Sequence, residues 1–317
     1  MSPTNNSFML EVKGLNKKFG EVHAVKNLNF QIKKGEIFGF LGPNGAGKTT
    51  TMRMVTCYIP PTSGSVLIDG MDPLTNSMEV RRKIGYLPEN NPLYNEMTVE
   101  EYLTFVGEVR GLKGSRLNSR IQDMFSVCSL TKMARRQIGR LSKGYRQRVG
   151  LAQAMIHNPD LLILDEPMSG LDPNQIIEIR NLIKKMGHEK TVIYCSHILS
   201  EVSATCDRIL IINEGQIAAS GTPDELTSRS DNGNKYLARI KADRFEIENK
   251  ISALPGVTSI QIVNASGDWT TAEVVSTSQN ELGESIFKCA VDNKWSLSEL
   301  KHESVSLEEV FKQLTRG

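Results

Sequence analysis

The chain has 317 residues, 38 Lys and Arg against 36 Asp and Glu, a net charge of +2 and 39% hydrophobic residues. That length supports one large domain and one small one, and the near-neutral balance gives no global attraction to nucleic acid or an anionic membrane. Cys57, Cys128, Cys195, Cys206 and Cys289 lack the paired spacing of a metal site, the polar opening MSPTNNSF is no secretory signal, and no apolar run approaches the roughly 18 residues that cross a bilayer. These features predict a chain of the reducing cytoplasm that reaches a membrane only through a partner.

From Phe8 to about Phe40, short alternating runs broken by Gly14, Gly20 and Gly35 predict a β-rich region. The strand-type run Gly35 to Leu41 leads into a Gly-x-x-x-x-Gly-Lys-Thr core, followed by a plausible helix. Gly42, Pro43, Asn44, Gly45, Ala46, Gly47, Lys48, Thr49 and Thr50 form a candidate triphosphate loop. Its glycines let successive N–H groups point inward, Lys48 reaches the β and γ phosphates, and Thr49 offers a hydroxyl to magnesium. On its own the pattern also fits an ordinary Gly-rich turn before a helix.

From Thr98 to about Lys132 the pattern turns helical, with Val99, Tyr102, Leu103, Val106 and Val109 on one face and Thr98 with Glu101 as a capping box. This predicts an inserted helical subdomain over about 98–150. The basic stretch Lys132 to Arg148 carries no interleaved aromatic platform and reads as a solvated helix face, so nucleic acid is not expected. LLILDEP, Leu161 to Pro167, is a buried strand with two carboxylates at its carboxyl end, where open α/β sheets hold ligands. Asp165 suits a magnesium ion and Glu166 suits an attacking water. The helical NQIIEIRNLIKKM, then TVIYCSH and RILIINEG, continue a strand–helix–strand alternation that predicts a parallel sheet.

Residues 227–235, TSRSDNGNK, hold no large apolar side chain and predict a linker between a domain of residues 1–226 and a smaller one of 236–317. The second reads strand (236–241), helix (244–254), strands (257–263 and 270–277), helix (281–293), strand (295–302) and a closing helix, VSLEEVFKQL. That order predicts a ferredoxin-like βαββαβ domain.

Taken with LSKGYRQR at Leu141 to Arg148, SGLD at Ser169 to Asp172 and the closing His197 of TVIYCSH, these motifs resemble the ATP-binding subunit of an ABC transporter, in family order over most of the first 225 residues. The resemblance implies an α/β P-loop NTPase cassette that hydrolyses ATP with Mg2+. In it Phe19 stacks on the adenine, Glu166 and His197 are catalytic, and Thr49, Asp165 and Glu89 meet the metal. Ser142 and Gly144 face the γ phosphate bound by a second copy, with Asp172 at the dimer seam.

Two positions depart from the family pattern. Glu89 in IGYLPE stands where a glutamine is usual, and LSKGY replaces LSGGQ, with Lys143 for a glycine and Tyr145 for a glutamine. IGYLPENNPLY, the signature and the terminal SLEEVFKQLT further resemble the ABC-2 exporter class, including its gliding-motility subgroup. That implies a separate transmembrane permease, which holds the substrate contacts, and a place on the inner face of the cell membrane. The rival is a soluble ABC-type ATPase acting on ribosomes or DNA, and the sequence shows none of its tandem cassettes, coiled-coil arms or zinc modules.

Overall fold

The structure, a computed structural model, describes residues 7–228, 234–276, 282–303 and 307–315. The chain divides into two compact units, residues 1–222 and 223–316.

The first unit opens with the long strands β1 (Phe8–Phe19) and β2 (Val22–Lys33), then β3 (Ile37–Leu41), α1 (Lys48–Val55), β4 (Ser63–Ile68), α2 (Ser77–Lys83) and β5 (Ile84–Leu87). Three helices follow, α3 (Val99–Val109), α4 (Gly114–Val127) and α5 (Lys143–Met155). The chain then alternates through β6 (Leu161–Asp165), α6 (Pro173–Gly187), β7 (Thr191–Ser196), α7 (Leu199–Ser203), β8 (Arg208–Asn213) and β9 (Gln216–Gly221). β2-β1-β4 form an antiparallel sheet and β5-β6-β7-β3-β8-β9 a second sheet, parallel except for β9.

The central strands β3, β6 and β7 are buried at every position, as a parallel sheet covered on both faces requires. Phe38, Phe40, Ile163, Ile193 and Cys195 share one core with the antiparallel sheet and with Met52 and Val55 of α1. The opposite face meets α6 and α7. Phe30 of the small sheet stacks on Phe38 at 6.0 Å between ring centroids, tying the two sheets together. All five cysteines are free.

Thr98 and Glu101 form the expected reciprocal cap on α3, whose buried side is Val99, Tyr102, Leu103 and Gly107. Val109, assigned to that face from the sequence, is 70% exposed. The helix turns its glycine inward instead, because a Cβ on Gly107 would meet Leu117 at 2.3 Å, leaving the last turn facing away. The basic stretch from Lys132 is not one helix face either: it passes through short 3-10 turns at Thr131–Met133 and Ile138–Arg140 before α5 begins. Arg146 there donates to the Leu141 carbonyl at 2.9 Å, and Arg148 pairs with Glu178.

The second unit comprises α8 (Pro223–Ser228), β10 (Asn234–Lys241), α9 (Arg244–Ser252), β11 (Val257–Ser266), β12 (Trp269–Ser276), α10 (Leu282–Asp292), β13 (Ser296–Glu303) and α11 (Leu307–Thr315). Its sheet order, β11-β12-β10-β13, is antiparallel throughout, the split βαβ arrangement of a ferredoxin-like domain. Ile240, Ile247, Val274 and Ile286 close its own core. The division falls upstream of the sequence-based linker because α8 packs with α11. Of the expected linker, residues 229–233 lie outside the described residues, as do Thr277 and Glu281 at strand and helix ends and residues 305–306 of the closing helix.

His157, between α5 and β6, donates from Nε2 to the Ile84 carbonyl at 3.0 Å, while its Nδ1 is buried without a partner among the described residues. Burial, and then the Arg110 charge, push its pKa down to about 4. The unfolded chain therefore binds a proton near pH 6.5 that the folded chain refuses, so this contribution is complete above that pH and is lost as the pH falls toward 4. A His157→Gln chain is expected to lose about 2 kcal/mol less stability than the wild type between pH 7 and pH 4, read by urea unfolding.

Candidate functional site

The phosphate loop joins the end of β3 to α1, and two of its glycines are dictated by space and conformation. A Cβ on Gly42 would meet the Ile212 carbonyl oxygen at 2.3 Å, and Gly47 sits at φ +102 with the Ala24 carbonyl 2.7 Å from where a Cβ would be. Gly47 is also the N-cap of α1, so the helix presents its free N–H groups and dipole at the loop. Ala46 is buried, and its carbonyl accepts the Gly215 N–H at 3.0 Å, pinning the loop to the β8–β9 turn. Asn44 and Gly45 form the exposed tip, with Pro43 and Thr50 half-buried beside it. Lys48 is 6% exposed and donates from Nζ to the carbonyls of Gly42 at 2.7 Å and Pro43 at 3.2 Å.

Asp165 ends β6 and Glu166 follows with a left-handed backbone, φ 50. Asp165 Oδ2 accepts the Thr49 hydroxyl at 3.2 Å, whereas Oδ1 is buried with no partner among the described residues. Burial pushes the Asp165 pKa up to about 6; the Thr49 hydrogen bond and Lys48 oppose this, and the charges of Glu166 and Glu89 add to it. Glu166 Oε1 lies 2.9 Å from His197 Nδ1 and 3.9 Å from Lys48 Nζ. The other oxygen, Oε2, is 3.3 Å from Ser196 Oγ. A carboxylate is thus held next to a phosphate-type loop, with an imidazole and an ammonium on the same oxygen. That arrangement suits orientation or deprotonation of a water near a bound γ phosphate.

The orphaned Asp165 oxygen beside the Thr49 hydroxyl fits a hard divalent cation, which takes oxygen ligands. Among the described residues no group of three or more His, Cys, Asp or Glu side chains is set to hold a metal alone. Thr49 and Asp165 would therefore share a magnesium ion with phosphate oxygens. Glu89 is exposed, outside any ready-made ligand cluster, and is felt at Asp165 through its charge.

The remaining sequence candidates are spread around this centre. Ser142 caps α5, its hydroxyl accepting the Tyr145 N–H at 3.4 Å, and Gly144 is buried where a Cβ would strike Gln175 at 2.6 Å. Asp172 caps α6, accepting the Gln175 N–H at 3.0 Å, so the signature and the SGLD loop meet at Gln175. Phe19 is 49% exposed at the end of β1, with Lys17 Nζ 5.1 Å from its ring centroid. Sequence reasoning missed Ser196, whose hydroxyl lies against Glu166, and Tyr194 and Glu201, which bond to each other beside it. The spacing of Tyr194 and Ser196, two apart on β7 and so on one face, was the available signal.

Residues 25–169 match the ABC transporter family model. An uncharacterised ABC transporter ATP-binding protein of Bacillus subtilis (strain 168) is 33% identical over 303 residues, covering 96% of this chain and 98% of that protein. A bacitracin transport ATP-binding protein of Bacillus licheniformis is 38% identical over 233 residues, covering 73% of this chain and 74% of that one. Among solved structures, a dimeric ATP-binding cassette in a post-hydrolysis state with ADP and phosphate superposes with a TM-score of 0.62 at 28% identity, over 68% of this chain and 98% of that one. A chain that carries this loop and this sheet edge, and matches such a relative over nearly its whole length, belongs to the ABC transporter ATP-binding proteins.

Proposed function

We propose that the chain binds ATP with magnesium and hydrolyses it, that two copies close around two nucleotides, and that closure drives a separate transmembrane permease of the ABC-2 exporter class. The observation that carries this reading is the convergence of Lys48, His197 and the buried Glu166 on one carboxylate oxygen beside the phosphate loop. Phosphoryl transfer to water is mostly positioning and electrostatics, and these are the parts it needs. When bound, magnesium supplies positive charge against the phosphate oxygens.

In this reading the N–H groups at the start of α1 bind the β and γ phosphates, with Lys48 leaving its loop carbonyls for the phosphate oxygens. Glu166 accepts the proton of the attacking water, and His197 orients both. Ser142 and Gly144, at the start of α5, complete the site of the second copy, with Asp172 at the seam. Phe19, exposed at a strand end, serves the adenine.

The permease contact is assigned to a groove of about 730 Å³ lined by Tyr58, Arg81, Tyr86, Asn91, Val109 and Arg110. It joins the Glu89-to-Glu101 segment to the helical subdomain, and the outward turn of Val109 adds apolar surface to it. No helix among the described residues is long and apolar enough to cross a membrane. In this reading the chain reaches the inner face of the cell membrane through that partner. Co-purification of a polytopic membrane protein, with crosslinks from this groove, supports the reading; recovery of ribosomes or DNA instead overturns it.

Glu166→Gln is expected to retain ATP binding and an ATP-dependent dimer while phosphate release falls roughly 10²–10⁴-fold, the usual cost of removing a positioned base. Near-normal turnover would remove Glu166 from this role. Asp165→Asn provides a second check, because a raised carboxyl pKa means that the charged form is tolerated poorly in the metal-free fold. That contribution favours the fold below about pH 4 and is lost as the pH rises through about 6. Without metal, the Asn variant is expected to exceed the wild type by about 2 kcal/mol at pH 8, with the gap closing on acidification, while magnesium-dependent nucleotide binding is lost.

A further inference from the structure

Behind Glu166, on the face of the sheet that meets α7, lies a second carboxylate that the proposed chemistry does not use. Glu201 is 6% exposed and forms no ion pair among the described residues. Its Oε2 accepts two hydroxyl hydrogens, from Tyr194 Oη at 2.9 Å and from Ser196 Oγ at 3.0 Å. Tyr194 and Ser196 are fully buried neighbours on β7, both facing α7. A buried glutamate with no cation and two well-placed donors is costly to keep unless its geometry serves something.

What it serves follows from the hydrogen count at Ser196. The hydroxyl has one hydrogen to donate, and its oxygen already accepts the Ile198 N–H at 3.1 Å. Two carboxylate oxygens compete for that hydrogen: Glu201 Oε2 at 3.0 Å and Glu166 Oε2 at 3.3 Å. Tyr194 fixes Glu201, Glu201 fixes the Ser196 hydroxyl, and the hydroxyl oxygen sets where Glu166 Oε2 can lie. Rotation of the Glu166 carboxylate is thereby restricted, so Oε1 stays turned to His197 and Lys48.

A second observation points the same way. Glu166 holds a left-handed backbone at φ 50, which a glutamate keeps only where its surroundings over-determine it. Its main chain is tied by its N–H to the Cys195 carbonyl at 3.0 Å, and the Ser196 hydroxyl oxygen on the same strand lies against its Oε2 at 3.3 Å.

We propose that Glu201 is a positioning residue for Glu166, acting through the Ser196 hydroxyl and itself anchored by Tyr194. This rests on the assignment of Glu166 to ATP hydrolysis. Replacing Glu201 with glutamine keeps the volume but exchanges the anionic acceptor for a neutral amide, so the Ser196 hydrogen turns to Glu166 Oε2 and draws that carboxylate out of the setting in which Oε1 faces His197 and Lys48.

The test is steady-state ATP hydrolysis by the full chain as wild type, Glu201→Gln, Ser196→Ala, the double variant and Glu166→Gln, with thermal unfolding of each. Glu201→Gln and Ser196→Ala are each expected to lower kcat roughly tenfold, with KM for ATP and the unfolding midpoint close to wild type. The double variant should lose no more than either single one, since both break the same link. Tyr194→Phe, which removes only the anchor of Glu201, should lower kcat less than Glu201→Gln. Wild-type kcat in Glu201→Gln, losses that multiply in the double variant, or a kcat loss that tracks a fall in the unfolding midpoint would each overturn the proposal. If the wild type hydrolyses ATP and Glu166→Gln does not, an unaffected Glu201→Gln sinks only the positioning role. A wild-type chain without hydrolysis sinks both.

Discussion

The site depends on the register of three parallel strands. Leu41 pairs with Ser196 across β3 and β7, and Asp165 pairs with Cys195 across β6 and β7. The ladder then runs one residue past the strand ends on each side of β7. The Gly42 N–H donates to the Ser196 carbonyl at 3.3 Å, and the Glu166 N–H donates to the Cys195 carbonyl at 3.0 Å. The first residue of the phosphate loop and the candidate base are thus anchored to consecutive carbonyls of one strand. A slip of one residue would turn Ser196 to the opposite face and carry Glu166 away from Lys48. The register is held at the other end of β7 as well, where the Val192 N–H donates to the Glu36 carbonyl at 2.9 Å and the Thr191 N–H to the Asp160 carbonyl at 3.1 Å.

That anchoring creates an electrostatic problem which the chain alone does not solve. Asp165, Glu166 and Glu89 crowd a loop built to hold phosphate, with Lys48 the cation close to Glu166. A triphosphate placed there adds like charge beside Asp165, whose charged form burial already disfavours. The conflict is relieved if positive charge comes between them, and Asp165 leaves one oxygen unpaired on the side where Thr49 offers a hydroxyl. Metal and nucleotide are therefore expected to bind as a unit, each lowering the cost of the other. With Glu89 in place of a neutral amide the dependence is steeper still.

The loop and the Asp165–Glu166 pair were legible in the sequence because covalent spacing alone decides them: glycine where a Cβ cannot fit, and carboxylates at the end of an apolar run. The ferredoxin-like order of the second unit was legible too, helped by strands such as β12, which alternates half-buried and buried positions from Trp269 to Ser276. Tyr194 and Ser196 escaped because β7 is buried at every position, so no alternation marks which of its side chains face Glu166. Val109 was misplaced for a different reason: helical periodicity cannot foresee that Gly107 will be the point of closest approach to Leu117. Arg146 and Arg148 read as solvated charge, yet Arg146 satisfies the local Leu141 carbonyl and Arg148 a Glu178 carboxylate that only tertiary structure brings near.

A single residue, Asn90, separates the electrostatics of the site from the groove assigned to the permease. Glu89 is felt at Asp165, and Asn91 lines the groove with its amide nitrogen and oxygen both buried and unpartnered among the described residues. Asn91 is also wedged against α5, where a Cβ on Gly150 would lie 2.2 Å from its amide nitrogen. Asn91 thus packs directly against α5, the helix whose N-cap is Ser142. Glu89, Asn91 and α5 form, in the proposed reading, a contiguous path from charge at the nucleotide site to the groove and to the helix offered to the second copy. In the proposed reading, that shared segment lets hydrolysis, dimer reopening and movement of the permease occur as one event.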